Sequence, residues 1–298
     1  MPEGDTIHRT ASALRTAMAG RRMQRFDAPE LVGPVPVAGR VIEAIEVRGR
    51  HLEMVFDDGL VLDTQVRRGA SWHLHRPDEP WRRPFREMRA AVETTDWVAV
   101  CFNAPLVETY RQPDRRRHPG MGRIGPDLTH HDVDVDRVVD LLVGYPDREA
   151  GLADVLLDQR VACGLGNVYR CEAMWATGVS PFAHVGVIDR RDAHRLVSTA
   201  VAQLRVNLQR PGRIAVADVK GGLAVYGRNG QRCPRCPGTI EGRRGRSGRV
   251  LYWCPQCQVQ HRPDRGRRGE SGDRSAVMDP HPAAQRFLAD LPWNRDVG

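Results

Sequence analysis

The sequence predicts an α+β protein, with a β-sandwich or barrel behind one helix, then a helical bundle, then a compact cysteine-rich module. Three observations carry this. Apolar residues recur at helical spacing near the start, alternate or run in short stretches up to about residue 102, and return to helical spacing from residue 132. Four of the seven cysteines form two CxxC pairs late in the chain. A length of 298 residues suits two domains and a small appendage.

Residues 8–19, with Ile7, Ala11, Leu14 and Met18 at spacings of three and four, read as an amphipathic helix ending at Gly20. Strands follow at 39–48, 51–57, 59–66 and 92–102, with Asp58-Gly59 as a hairpin turn. Residues 111–127 are rich in Arg, Pro and Gly without an apolar period, which reads as a linker. Helical patterns follow in VDRVVDLLVG, GLADVLLDQR, GNVYRCEAMWATG and RDAHRLVSTAVAQLRVNLQ. The domain reading is therefore 1–113, linker 114–130, 131–225, a module at 226–261, and a tail at 262–298 whose composition cannot bury a core and is expected to be disordered.

Composition narrows the function. Lys and Arg number 45 against 37 Asp and Glu, a net charge of +8, so a polyanion is a leading partner. Lys220 is the single lysine, leaving one side-chain candidate for Schiff-base chemistry. Mean hydropathy is −0.48, and no apolar run reaches the ~18 residues that span a bilayer, so no membrane partner is expected. The N-terminus lacks the basic-then-apolar pattern of a secretory signal, which points to the cytoplasm. Cys101, Cys163 and Cys171 stand in apolar contexts and read as small buried side chains.

The spacing Cys233-x2-Cys236-x17-Cys254-x2-Cys257 is that of two knuckles presenting four thiolates to one zinc ion. Four thiolates leave no open coordination position, so this Zn2+ is expected to be structural. Residues 226–261 also hold seven arginines (228, 232, 235, 243, 244, 246 and 249) against one acid, Glu241. Such a one-sign hairpin suits contact with nucleic-acid phosphate. Upstream, Gly164 and Gly166 bracket a turn, and Asn167 reads as the N-cap of the next helix, a place where backbone N–H groups can meet phosphate. At the start, removal of Met1 would leave Pro2 with a secondary amine. An α-amino group titrates near 7.7–8.0 and is partly nucleophilic at neutral pH, and Glu3 beside it can move protons.

These three motifs, MPEGDTIHRTA, LLDQRVACGLGNVY and VYGRNGQRCPRC with YWCPQCQ, resemble the formamidopyrimidine-DNA glycosylase/endonuclease VIII family, specifically its actinobacterial endonuclease VIII-like branch, over roughly residues 1–261. The resemblance implies an N-terminal two-layered β-sandwich with a flanking helix, a helix-two-turn-helix domain and a C-terminal zinc-finger β-hairpin. It implies base-excision repair on double-stranded damaged DNA by a monomer, associated with the nucleoid through DNA. Pro2 would attack C1′ of a flipped nucleotide, Glu3 would be the acid/base, and β,δ-elimination would cut the strand. Asn167 and Arg249 match the family's phosphate-gripping residues.

Two departures bear on this. Arg50 stands where the family has a lysine; it keeps the charge for phosphate but cannot supply a neutral amine. Arg67, Arg68 and Gly69 stand where the family has void-filling residues, often an apolar wedge, and Asp63 and Gln65 replace histidines often seen upstream. A carboxylate on the DNA face would repel phosphate unless paired. The reading is thus a bifunctional glycosylase/abasic-site lyase, with the alternative of a catalytically weakened damage- or abasic-site-binding protein.

Overall fold

The computed structural model describes residues 3–67, 69–117, 124–208, 210, 212–245 and 248–261. Pro2, Arg68, Arg246 and the tail 262–298 lie outside the described residues. The chain divides into two compact units, Met1–Ile124 and a second beginning at Gly125.

The first unit opens with helix α1, Gly4–Met18, which buries Ile7, Ala11, Leu14, Ala17 and Met18. It starts one turn earlier than the apolar spacing suggests, because Glu3 in extended backbone caps it and the Asp5 side chain accepts from Thr6 N–H at 2.8 Å. Eight strands follow: β1 (Arg25–Asp27), β2 (Ile42–Arg48), β3 (His51–Phe56), β4 (Leu60–Gln65), β5 (Ser71–His75), β6 (Met88–Glu93), β7 (Val98–Phe102) and β8 (Val107–Arg111). They form two antiparallel four-stranded sheets, ordered β1-β6-β7-β5 and β2-β3-β4-β8.

Leu52, Met54, Phe56, Leu60 and Leu62 of one sheet share a core with Trp72, Ala90, Val92, Ala99 and Cys101 of the other and with α1. That is a two-layered sandwich with a flanking helix. The apolar run 92–102 is two strands rather than one. A turn at residues 94–97, closed by Thr94 N–H to the Trp97 carbonyl at 2.8 Å, folds it back without the Gly or Pro that usually marks a hairpin. Inside the stretch read as a linker, Gln112–Arg117 form a 3-10 turn that brings Arg115 back onto the second sheet. Burial pushes the Cys101 thiol up to about 12, which makes it inert.

The second unit contains helices α2 (Val135–Val143), α3 (Leu152–Val155), α4 (Asn167–Thr177) and α5 (Arg190–Asn207), and the hairpin β9 (Glu241–Arg244) with β10 (Val250–Trp253). Asp134 and Asp189 cap α2 and α5 through their side chains, and Gly178, at φ 75°, ends α4. The helical pattern at 151–160 yields a single turn, because Asp158 accepts from both the backbone N–H and the guanidinium of Arg160 and closes a turn of its own. One core joins Val139, Leu142, Tyr169, Trp175 and Leu196 to Ile240, Leu251, Trp253, Cys254 and Cys257, so the cysteine module packs on the helices. Among the described residues no helix is long and apolar enough to cross a membrane.

Trp175 is fully buried in this shared core. Trp175→Ala is expected to destabilise the second unit by about 3–5 kcal/mol, read as a lower urea midpoint; an unchanged midpoint would contradict the packing.

Candidate nucleic-acid interface

In the first unit, Glu3 is 4% exposed at the start of α1, where free N–H groups and the helix dipole favour a carboxylate. Its backbone carbonyl takes the first helical hydrogen bond, from Thr6 N–H at 3.0 Å. Its predicted partner Pro2 is outside the described residues.

Arg50 is half-buried on the tight turn between β2 and β3, entered through Gly49 at φ 59°. Arg67 is exposed on the loop between β4 and β5. The two loops meet at the backbone, where Val66 N–H donates to the Arg50 carbonyl at 2.7 Å. Asp63 is not a bare carboxylate on an open surface, as its place in the sequence suggests. It is fully buried, and its Oδ2 lies 2.6 Å from His51 Nδ1. Strand alternation accounts for this: Leu62 and Thr64 point to the sandwich core, and Asp63 joins His51 and Glu53 on the other face.

In the second unit, the loop before α4 needs Gly164, which lies at φ 83° and where a Cβ would come within 2.9 Å of both Asp127 Oδ1 and Thr129 Cγ2. Asn167 is the first residue of α4 and not its N-cap; that position belongs to Gly166. The Asn167 side chain reaches sideways instead. Its Nδ2 donates to the Val250 carbonyl at 2.8 Å, and its Oδ1 accepts from Arg170. Arg170 is buried and also donates to the Ala153 carbonyl at 2.9 Å. Burial, together with the charge of nearby Arg249, lowers the Arg170 pKa. Asn167 and Arg249 are thus brought side by side, as Arg249 directly precedes Val250 on the hairpin.

The arginine patch is smaller than the sequence count. Arg235 stacks on the Trp175 ring at 4.2 Å and donates to the Ala176 carbonyl at 3.0 Å, while Arg228 donates to the Leu223, Ala224 and Arg232 carbonyls. Both are framework. Arg243 and Arg244 remain exposed on β9. Sequence reasoning also missed Glu172, a fully buried carboxylate accepting the N–H groups of Ala224, Val225 and Tyr226 at 2.8–2.9 Å. Its only signal is that it is the one acid of its helical stretch, GNVYRCEAMWATG.

The four sulfurs of Cys233, Cys236, Cys254 and Cys257 lie within 4.8 Å of one another. Cys233 and Cys257 are 3.7 Å apart, and Cys236 and Cys254 3.5 Å. A tetrahedron with metal–sulfur bonds of about 2.3 Å has edges of about 3.8 Å, so the cluster fits one metal ion. Backbone N–H groups of Arg235 and Gly238 point at Cys233 and Cys236 sulfur, each at 3.4 Å, which favours thiolates. The Cys257 hydrogen bond and the Arg235 N–H hold the Cys233 thiol below its ordinary range. His130, His131 and Asp132 also cluster, but all three are exposed neighbours on one turn.

Comparison with known proteins agrees with this architecture. Residues 124–217 match the formamidopyrimidine-DNA glycosylase H2TH domain. The chain is 35% identical over 280 residues to "Probable endonuclease 8 2" of Streptomyces coelicolor, covering 92% of this chain and 99% of the relative. It is also 35% identical over 264 residues to "DNA-(apurinic or apyrimidinic site) lyase Nei2" of Mycolicibacterium smegmatis, covering 87% and 99%. Among solved structures, MutM in complex with DNA containing carbocyclic 8-oxo-G is similar at a TM-score of 0.74 and 21% identity, over 87% of this chain and 100% of that one. Lactococcus lactis Fpg (MutM) with oxidised-pyrimidine DNA is similar at 0.75 and 21%, with the same coverage. The chain belongs to the formamidopyrimidine-DNA glycosylase/endonuclease VIII family, and its fold is that family's β-sandwich, H2TH helical domain and cysteine-bearing hairpin.

Gly164→Ala meets both a left-handed φ and close contacts. It is expected to cost about 1–3 kcal/mol, seen as a lower melting temperature, whereas Gly20→Ala, with nothing within 4 Å of the added Cβ, carries the backbone term alone and costs less. Equal losses for the two would contradict the tight packing of the loop before Asn167.

Proposed function

We propose that this protein is a DNA repair glycosylase with abasic-site lyase activity, excising damaged bases through an imine on its own N-terminal amine. The observation that carries the reading is the near full-length likeness to relatives named endonuclease 8 2 and abasic-site lyase, in a chain that keeps Met-Pro-Glu at its start. The same likeness favours an enzyme over a protein that only binds damage.

With Met1 removed, the Pro2 nitrogen attacks C1′ of a nucleotide turned out of the stack. The C1′–N bond to the base breaks and the base leaves with a proton; the Pro2 nitrogen gives up its own proton, the C1′–O4′ bond opens with O4′ protonated, and the nitrogen lone pair forms the iminium that joins C1′ to Pro2. Loss of a C2′ proton then expels the 3′ phosphate, and a second elimination expels the 5′ phosphate. Glu3, buried where α1 begins, gives and takes protons at the sugar. Arg50 holds phosphate beside the lesion and stays charged throughout, so no step passes a proton through it. Arg67 and Arg68 fill the space left by the everted base with polar side chains.

Asn167 and Arg249 grip the backbone of double-stranded DNA from the second unit, and their adjacency supports this role. Cys233, Cys236, Cys254 and Cys257 hold one structural Zn2+, which supplies no chemistry to the reaction and keeps the hairpin folded. The protein acts as a monomer in the cytoplasm, meeting the nucleoid through its DNA contacts.

An N-terminal extension that blocks the Pro2 amine is expected to abolish cleavage of an abasic duplex while leaving its affinity for the duplex within about twofold. Full cleavage by the extended protein would overturn the imine route. Arg249→Ala is expected to weaken binding to all sequences alike and to reduce the salt slope by about 1; a wild-type slope would remove Arg249 from the phosphate contacts.

A further inference from the structure

The outer face of the β2-β3-β4-β8 sheet carries a row of acids that the chemistry above does not use. Cross-strand register sets Glu46 opposite Glu53, Glu53 opposite Asp63, and Asp63 opposite Glu108. Glu53 and Asp63 are fully buried and Glu108 is 9% exposed. Like charges directly opposite one another on a sheet repel, and burial makes uncompensated charge costlier.

The Glu46–Glu53 end of the row and Asp63 are compensated separately. Arg115, from the 3-10 turn, lies 3.1 Å from Glu46 and 2.6 Å from Glu53; Arg48 lies 3.2 Å and 3.5 Å from the same two acids. Tyr110 donates its hydroxyl to Glu53. On Asp63 the partner is His51, itself 3% exposed.

His51 directly follows Arg50, and Asp63 lies on the strand leading into the loop of Arg67. Just beyond the pair, the Val66 N–H to Arg50 carbonyl bond ties the two loops at the backbone. We propose that His51 and Asp63 are positioning residues, their buried pair holding the Arg50 turn and the Arg67 loop in the arrangement that grips the phosphates beside the lesion. This rests on the reading of Arg50 and Arg67 as DNA contacts.

The pair is also proton-linked. Burial alone would lower the His51 pKa, but the hydrogen bond it donates to Asp63 and the charges of Asp63, Glu53 and Glu108 outweigh it and hold His51 above its ordinary value. The groups around it are Asp63 and Gln65 on β4, Glu53 on its own strand, Glu108 on β8 and Arg48 opposite it on β2. A pKa raised by folding gives stabilisation that is complete below the unfolded value and is lost as pH rises through the folded one. Above it, Asp63 faces Glu53 and Glu108 with only a neutral ring beside it, and the two loops loosen.

The test is the affinity for a duplex carrying a tetrahydrofuran abasic analogue, which cannot form an imine. It is measured by fluorescence anisotropy between about pH 5.5 and 9, where a raised histidine titrates. The proteins compared are wild type, His51→Asn, Arg50→Ala and the double variant. Asparagine is neutral at every pH, as the deprotonated ring is, so His51→Asn should bind like the high-pH wild type across the whole range and flatten the profile. Wild type should lose roughly three- to tenfold as His51 deprotonates. Arg50→Ala should bind more weakly and lose the same pH dependence, with His51→Asn adding nothing further.

A wild-type pH profile in His51→Asn, or effects of the two substitutions that simply add, would overturn the proposal. Should His51→Asn fail to fold, Arg50→Ala alone decides, and a pH dependence that persists there overturns it. Wild type binding abasic and undamaged duplexes alike would contradict the repair function, while the same pH comparison on whichever duplex binds still decides the role of His51.

Discussion

The second unit depends on the complete burial of α4. All eleven of its residues from Asn167 to Thr177 are buried, so every polar group on it has to be answered from within the protein. Those answers assemble the interface. Asn167 is held between Arg170 and the Val250 carbonyl, and Glu172 gathers three backbone N–H groups from the segment entering the cysteine module. The Trp175 ring carries the Arg235 guanidinium between the first two cysteines. Cys171 sulfur accepts from Tyr252 N–H at 3.5 Å on the hairpin strand itself. The position of Arg249 is therefore set by a helix distant in sequence, and the cysteine cluster closes a hairpin docked on that helix.

The first unit meets the same constraint differently. Its sandwich core is apolar, and the outward face of the second sheet is a polar array in which Glu53, Asp63, Glu108 and His51 are buried and Glu46, Arg48, Arg115 and Tyr110 lie nearer solvent. Buried ion pairs contribute little net stability, because desolvation offsets much of the attraction; what they can specify is geometry. Here that geometry lies under the two loops that carry the basic residues. Burial raises the Glu53 carboxyl even with the Tyr110 and Arg115 contacts opposing it, which marks the array as finely balanced.

Much of the fold was legible in the sequence for physical reasons. The four cysteines have few ways to be arranged at their spacing, and the change of apolar period from helical to alternating and back follows which face of each element meets a core. The features that were not legible depend on neighbours distant in sequence. Nothing local marks the turn at residues 94–97, which has no Gly or Pro. Asn167 has the composition of a cap, yet its side chain is taken by a strand 83 residues away. Asp63 reads as an exposed acid until the register of β3 and β4 brings His51 onto it. Arg228 and Arg235 count as surface charge in a composition but are spent on carbonyls and an indole ring.

The proposed nucleophile is the N-terminal amine, and a chain with one lysine makes that assignment easy to test. Borohydride reduction of the protein on an abasic duplex, followed by protease digestion and mass spectrometry, locates the attached sugar on one peptide. A single adduct on the peptide beginning with Pro2 is expected. An adduct on Lys220, the one lysine in the chain, or no adduct from protein that binds the duplex, would contradict it.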